Sequence, residues 1–455
     1  MAEQNSGREH WGSRIGFILA AAGSAVGLGN IWKFPYVTGS NGGAAFVLVY
    51  IIFVMVLGLP IMIAELVIGR HTEKDPVGAF KEMAGRSIWS GVGYLGVASG
   101  FLILSFYSVV GGWTIGYLVK SIRGLVTSLP DTDAAKSLFG DFITDPVQMI
   151  GYHLLFMGSC MYIVISGVKN GIERWSKILM PLLFAILVVL IVKGIMMEGG
   201  LRGLSFFLKP DFSKITPGSI VAAMGQAFFS LSLGMGAMIT YGSYLSRKER
   251  ILTSALYVVI LDTLVAVLAG LAIFPAVFAM NMSPGEGPGL IFQIIPVVFG
   301  RMEYGIVFSV LFFLLLFIAA LTSGISLLEV ITAYVIDEMK WSRHKAVLVF
   351  GTVIFLLGLP SALSFGVLEP IKFFGSLTFF DFMDKLATNY MLPLGGFFIA
   401  VFLGWKYGLD KTIHELDPDT RIISVKELWA FFIKFVSPAL VLALFIILVK
   451  KDFFG

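Results

Sequence analysis

Eleven apolar segments, each long enough to cross a membrane, limit what this chain can fold into. A helix needs about 20 residues to span the hydrocarbon core and a barrel strand only about 10, so these segments favour helices. Because 57% of the residues are hydrophobic and 14% are charged, we predict an all-α integral membrane protein. The segments lie near 12–37, 43–68, 89–119, 147–168, 177–197, 217–243, 252–280, 304–336, 344–363, 387–407 and 428–449.

Cationic residues cluster in alternate loops, and this pattern predicts the orientation of the chain. By the positive-inside rule these loops are cytoplasmic. The protein would then lie in the plasma (inner) membrane with its N-terminus on the cytoplasmic side and, after eleven helices, its C-terminus on the outside. The opposite loop at 124–146 carries four aspartates and one lysine. The cationic loops contain Arg70, Lys74, Lys81 and Arg86, then Lys169, Arg174 and Lys177, then Arg247, Lys248 and Arg250, then Lys340, Arg343 and Lys345, then Lys406, Lys411, Arg421 and Lys426.

Composition argues against several classes of function. A net charge of +4, spread over the loops, does not favour nucleic-acid binding. One cysteine, Cys160, and five scattered histidines give no metal-ligand spacing, and no organic cofactor is expected. Since no loop is long enough to fold alone, residues 1–455 are predicted to form a single transmembrane domain in the lipid bilayer, with the function inside the membrane.

The first apolar segment is interrupted by residues that disfavour a helix. Gly23, Gly27 and Gly29 lack the Cβ atom that favours helical backbone, and Pro35 lacks a backbone N–H. In lipid, a freed backbone group costs several kcal/mol unless protein or a ligand satisfies it, so the break suggests a ligand. The alternative is a glycine-rich packing face from which Lys33 extends its charge to water.

A second break, from Ser230 to Gly236, interrupts the sixth segment, five segments after the first. Breaks at corresponding positions of two halves indicate the binding site of a secondary transporter. We therefore predict repeats at about 12–197 and 217–407, followed by an extra helix at about 428–449. Each break exposes a positive and a negative helix end, which together suit a zwitterion beside a cation.

Five motifs, in this order, resemble those of the neurotransmitter:sodium symporter family. The resemblance covers essentially the whole chain and implies the leucine-transporter type of fold: eleven transmembrane helices in a 5+5 inverted repeat, with helices 1 and 6 discontinuous. A twelfth helix is missing, as in many bacterial members, which leaves a monomer or a homodimer open. The motifs are GSAVGLGNIWKFPY at 23–36, NGGAAFVLVY at 41–50, GGWTIGY at 111–117, FFSLSLGMGAMITYGSY at 228–244 and ALTSGISLLE at 320–329.

The resemblance implies two sodium ions. Asp262, the one ionised residue in its apolar run, falls near the usual asparagine ligand and would replace the chloride that many animal members need. Tyr50, Gln226 and Ser230 match that chloride pocket. Alternatively, Asp262 caps its helix or reaches the cytoplasm. For the second sodium site, the alternative is that the hydroxyls of Thr322 and Ser323 only bond the carbonyl groups of the preceding helical turn. The first site comprises Ala25, Asn30, Ser230 and Asp262, and the second Gly23, Val26, Ala319, Thr322 and Ser323.

The same resemblance implies a substrate pocket between helices 1, 3, 6 and 8. Biogenic-amine members carry a carboxylate at the position of Gly27, and its absence here favours a neutral α-amino acid. Apolar walls favour a hydrophobic or aromatic side chain, although core packing alone would also explain any one of these apolar residues. The pocket residues are Ala25, Gly27, Leu28, Gly29, Ile103, Tyr107, Phe229, Ser230, Ser232, Met235, Ser323 and Leu327.

Gates on both sides of the pocket follow from the same resemblance. Outside, Lys33 would pair with Asp384, and Tyr107 with Phe229 would cover the substrate. Apart from the resemblance, the Pro- and Gly-rich run that begins residues 282–296 predicts a turn followed by a short amphipathic helix over the outer vestibule. Inside, the matching residues are Arg8, Asp337, Trp11, Ser243 and Tyr244. The alternatives are an ordinary positive-inside charge for Arg8 and a solvated helix end for Asp337.

The sequence thus predicts a sodium-driven amino-acid symporter that works by alternating access. One rival is a sensor or channel of the same fold without concentrative uptake. The other is an intramembrane enzyme, which we do not favour because the sequence shows no catalytic arrangement.

Overall fold

The computed structural model describes residues 9–280, 290–416 and 423–453, and in these ranges the backbone is largely helical. The extended pairing within them is an isolated bridge between Phe373 and Leu377. The main helices are α1 (Arg14–Ala25), α2 (Gly29–Ser40), α3 (Ala44–Thr72), α4 (Pro76–Ala84), α5 (Ser90–Ile122), α6 (Thr132–Thr144), α7 (Pro146–Ile165), α8 (Val168–Met196), α9 (Gly200–Leu208), α10 (Pro217–Ser230), α11 (Ala237–Gly242), α12 (Ile251–Ala279), α13 (Leu290–Gly300), α14 (Gly305–Met339), α15 (Arg343–Ala362), α16 (Phe379–Tyr407) and α17 (Lys426–Phe453). Short 3-10 turns lie at Phe212–Lys214, Leu409–Lys411 and Ile413–Glu415.

Within the described ranges, nine helices are long and apolar enough to cross a membrane, and the bent pair of α1 and α2 makes up to ten. The remaining predicted segment, 217–243, is divided between α10 and α11. The predicted count of eleven spans therefore stays a prediction, whereas the helical class agrees with expectation. The predicted turn at 282–289 lies outside the described residues, and the short helix expected after it is α13.

The first break lies between α1 and α2, which meet at an angle of 51°. Ser13 caps the start of α1 by accepting a hydrogen bond from the Gly16 N–H. Helical backbone ends at Ala25, Val26 is extended, and α2 opens with a π-helical turn from Gly29 to Lys33. The irregular backbone is therefore shorter than the stretch that the sequence marked, because Gly29 and Pro35 are accommodated inside helical turns.

The second break occupies residues 231–236, between α10 and α11. Ser232, Gly234 and Gly236 all have positive φ, at 55°, 81° and 74°. Glycine adopts this conformation without steric cost, whereas Ser232 is strained there. The glycines of this stretch thus make the turn itself.

The two broken helices pack against α14, which in turn packs along α5. Helix α7 packs against α5, and helix α15 packs against both α5 and α14. Helix α1 lies between α12 and α14, and helix α11 lies along α3. At the crossing of α3 and α11, a Cβ atom on Gly69 would overlap the carbonyl oxygen of Ile239. The backbones are therefore in direct contact, and the position of α11 depends on a glycine in α3.

A polar cluster ties the end of α3 to the segment after α16. The Arg70 guanidinium, 1% exposed, lies 3.1 Å from the Glu415 carboxylate, and the other carboxylate oxygen lies 3.3 Å from the His71 ring. The hydrogen bond from His71, followed by the charge of Arg70, lowers the pKa of Glu415 to about 2. The segment after α16 is therefore fixed to α3, the helix along which α11 lies.

We expect Gly69→Val to destabilise the protein by about 1 to 3 kcal/mol, since overpacking a tight contact costs this much. The measurement is thermal unfolding of the purified protein in detergent. Gly151→Ala on α7 is the matched control because a Cβ atom there meets nothing within 4 Å. Equal melting temperatures for wild type and Gly69→Val would contradict the proposed backbone contact.

Candidate functional site

A small cavity lies where the two breaks face α5 and α14. Its free volume is about 40 Å³. All twelve predicted substrate-binding residues line it, together with one residue that the sequence analysis missed, Leu392 on α16. The structure thus brings the whole predicted set together, although their distances along the chain are large.

Asp262 on α12 lies beside the first break. The Asn30 side-chain amide donates to Asp262 Oδ1 at 2.8 Å and to the Asp262 carbonyl oxygen at 3.0 Å. Ser230 donates to Asp262 Oδ2 at 2.9 Å, and the Tyr50 hydroxyl lies 3.5 Å from that oxygen. Gln226 donates to the Gly29 carbonyl oxygen at 2.8 Å. Two of the three residues matched to a chloride pocket, Tyr50 and Ser230, therefore contact a carboxylate, and Gln226 holds the neighbouring backbone.

The surroundings of Asp262 exclude both structural alternatives. Its side chain is fully buried, and it lies well inside α12, so it neither caps a helix nor reaches water. The partners described above, an amide and two hydroxyls, are neutral. A carboxyl group buried in a membrane is costly to ionise unless a cation is bound beside it, and an oxygen-rich cluster of this kind would suit a hard ion such as sodium.

The second predicted ion site joins the first break to α14. Ser323 donates to the Ser24 and Val26 carbonyl oxygens at 3.1 and 3.3 Å. Thr322 lies 3.4 Å from the Val26 oxygen and 3.1 Å from that of Ala319. Thr322 therefore bonds its own preceding turn, as the structural alternative requires, and also reaches the broken helix. A Cβ atom on Gly23 would lie 3.2 Å from Thr322, so all five predicted residues are neighbours.

Gly27 leaves no room for a side chain. A Cβ atom there would lie 2.5 Å from Ser323 Oγ and 3.1 Å from the Tyr107 hydroxyl. The Leu28 N–H points to the Tyr107 hydroxyl at 3.4 Å. A backbone N–H beside a phenol is a suitable site for a ligand carboxylate, and a protein carboxylate at position 27 would occupy the same space.

A larger vestibule of about 340 Å³ adjoins the cavity on the side where α2 ends. Tyr107 and Phe229 line both spaces and therefore lie between them. Lys33 and Asp384 both line the vestibule, and the Lys33 ammonium lies 4.2 Å from the centroid of the Phe229 ring. The four residues predicted to close this side are thus grouped around its floor.

At the opposite end, the chain before α1 covers the second broken helix. The Trp11 indole donates to the Tyr241 carbonyl oxygen at 3.0 Å and packs against Tyr244. Asp337 is partly buried, and it accepts the Asp75 N–H at 2.8 Å, so it is more than a freely solvated helix end. Burial, and then the charge of Asp337, raise the pKa of Asp75 to about 7. Ser243 is fully buried in the same region, whereas Arg8 lies outside the described residues.

Glu329 on α14 is a buried carboxylate at this closed end that the sequence analysis missed. Tyr244 donates to it at 2.6 Å, and Arg343 donates to its two oxygens at 2.7 and 3.0 Å. Arg343 also pairs with Glu9 at 2.9 Å. These contacts join the second broken helix to α14 and α15. The signal was available in the motif at 320–329, which ends in this glutamate.

A second missed carboxylate is Glu65 on α3, which accepts the Gly234 N–H at 2.7 Å. Leu392, the missed cavity residue, directly precedes Pro393 and a Gly395-Gly396 pair. This Pro-Leu-Gly-Gly run was the available sign of a close helix crossing in the tenth segment.

Two broken helices that form a cavity at their breaks, with the predicted gate residues on either side of it, define a secondary transporter of the membrane. The comparisons place it among known proteins. The family model of the sodium:neurotransmitter symporter family matches residues 8–149 and 143–452. The chain belongs to this family.

Similar sequences and a solved structure support the same family assignment. YhdH, an uncharacterized sodium-dependent transporter of Bacillus subtilis, is 40% identical to this chain; the match covers 96% of this chain and 97% of YhdH. Another from Haemophilus influenzae is 38% identical, over 98% and 99%. The crystal structure of MhsT in complex with L-phenylalanine is 47% identical, has a TM-score of 0.89, and matches 96% of this chain and 99% of MhsT. The predicted leucine-transporter type of fold is confirmed.

Glu329→Gln should loosen the closed end, because Arg343 then loses its fully buried charged partner and keeps Glu9, which is more exposed. In a Ser243→Cys background, a membrane-impermeant maleimide should label the introduced thiol faster when residue 329 is glutamine than when it is glutamate. The native thiol, Cys160, is fully buried and gives little background. Glu338→Gln is the matched control, since Glu338 pairs with Lys81 in a partly exposed ion pair. Equal labelling rates in Ser243→Cys alone, with Glu329→Gln and with Glu338→Gln would contradict a role of Glu329 in closing this end.

Proposed function

We propose that this protein is a symporter that uses sodium to import a neutral, hydrophobic or aromatic L-amino acid by alternating access. The observation that carries the proposal is the cavity at the two breaks, lined by apolar side chains around Gly27. The family supplies the sodium dependence, and the L-phenylalanine bound to MhsT supports the substrate class. No organic cofactor is invoked.

The substrate would lie with its carboxylate at the first break. Tyr107 and the Leu28 N–H are the donors available there. Ile103, Phe229 and Met235 would contact the side chain, which explains a preference for apolar amino acids without fixing which one. Met235 is flexible, so side chains of several sizes can be accommodated.

Two sodium ions would bind beside the substrate, one near Asp262 and one near Thr322. The substrate carboxylate would complete the first site, so that ion and substrate bind together. Each ion that crosses 100 mV supplies about 2.3 kcal/mol, and two supply about 4.6 kcal/mol, which supports somewhat more than a thousandfold gradient of a neutral solute.

Alternation would follow from rocking the two broken helices with α3 and α12 against α5, α7, α14 and α15. Lys33 with Asp384 would close the outside, and the Trp11, Tyr244 and Glu329 region the inside. The positive-inside pattern supports an N-terminus in the cytoplasm and a C-terminus outside.

The proposal is tested by uptake of labelled amino acids into proteoliposomes. With sodium outside, we expect accumulation of phenylalanine or another apolar amino acid above its external concentration. Replacement of sodium by potassium should abolish it. Equal uptake in both salts, or no uptake of any of the twenty amino acids, would contradict sodium symport.

Chloride independence is a separate expectation, which depends on Asp262. Uptake by the wild type should be complete when gluconate replaces chloride, whereas Asp262→Asn should transport only with chloride present, because the cluster around Tyr50 then lacks a negative charge. Asp381→Asn, which changes a vestibule carboxylate, is the control and should remain independent of chloride. Chloride dependence of the wild type would refute this role of Asp262.

A further inference from the structure

One wall of the substrate cavity comes from a helix outside the four that build the rest. Twelve of the lining residues belong to the two broken helices, α5 and α14, and the thirteenth is Leu392 on α16. Leu392 is 2% exposed, so its side chain belongs to the interior of the protein. Its side chain is aliphatic, so it can restrict the volume of a ligand but cannot hydrogen-bond it.

The local backbone of α16 presents Leu392 at this point. A π-helical turn runs from Leu386 to Met391, directly before Leu392, and Pro393 follows it. The wider turn shifts the register of the helix by one residue, and such turns are frequent at functional sites. Proline supplies no N–H to the turn before it, so the shift leaves fewer backbone groups to satisfy.

Direct backbone contacts fix α16 against the second break. A Cβ atom on Gly234 would overlap the Leu392 carbonyl oxygen, and one on Gly395 would overlap the Gly234 carbonyl oxygen. No side chain separates the two backbones. The distance between Leu392 and Met235, the residue after Gly234, is therefore set by main-chain packing, and the Leu392 side chain can be changed without removing that packing.

We propose that Leu392 sets the upper limit on the size of the amino-acid side chain that the cavity accepts. The inference rests on the proposed function and adds the residue that determines which apolar amino acids are imported. Discrimination by volume in an apolar pocket is worth about 10-fold to 200-fold for each methylene group. Leu392 differs from alanine by three carbon atoms, so a substitution here has a measurable effect on selectivity.

The test is the ratio of kcat/KM for L-tryptophan to that for L-valine, measured as initial uptake into proteoliposomes. We expect Leu392→Ala to raise this ratio and Leu392→Phe to lower it, each by about tenfold or more. Leu403→Ala is the matched control: it truncates a fully buried leucine of the same helix that does not line the cavity. Its ratio should stay at the wild-type value.

Wild-type ratios in both Leu392 variants would overturn the inference while leaving wild-type uptake, and so the proposed function, intact. Wild-type protein that imports no amino acid would instead refute the proposed function, and this inference with it. If Leu392→Ala elutes as an aggregate in size exclusion, Leu392→Val replaces it, and a ratio unchanged in both Leu392→Val and Leu392→Phe overturns the inference equally.

Discussion

Backbone that leaves the helix inside a membrane must find new hydrogen-bond partners, and the structure of this protein depends on how it does so. At the first break, Gln226 donates to the Gly29 carbonyl oxygen, and Ser323 donates to that of Ser24. At the second, Glu65 accepts the Gly234 N–H. The partners come from α3, α10 and α14, so each break is held by helices distant in sequence.

The same contacts bring the two breaks together around the cavity. Ser232, in the second break, donates to the Ser24 carbonyl oxygen at 3.0 Å, so the two breaks are joined directly. Polar groups that satisfy freed backbone also line the cavity beside it. The proposed ion and substrate carboxylate would replace weak internal contacts with stronger ones, and this exchange would offset part of the cost of breaking two helices.

Much of this arrangement could be predicted because it depends on residue types that are uncommon in apolar segments. Glycines and hydroxyls in an apolar segment stand out, as does Asp262, and the spacing of the breaks relates one half of the chain to the other. Leu392 and Arg343 could not be predicted in this way. A leucine in an apolar helix looks like any core residue, and a loop arginine looks like any positive-inside charge; only the packing of α16 and α15 gives them partners. The exact limits of the first break were also hidden, since Gly29 is compatible with both a turn and a helix.

The central claim is that ion and amino acid share one site at the two breaks, so each must tighten the binding of the other. The direct measurement is the equilibrium affinity of the purified protein for labelled L-phenylalanine over a range of sodium concentrations, with potassium holding ionic strength constant. We predict that the association constant rises with sodium, with a log–log slope approaching about two at low sodium, as linkage to two ions requires. An affinity that does not change with sodium would contradict the account.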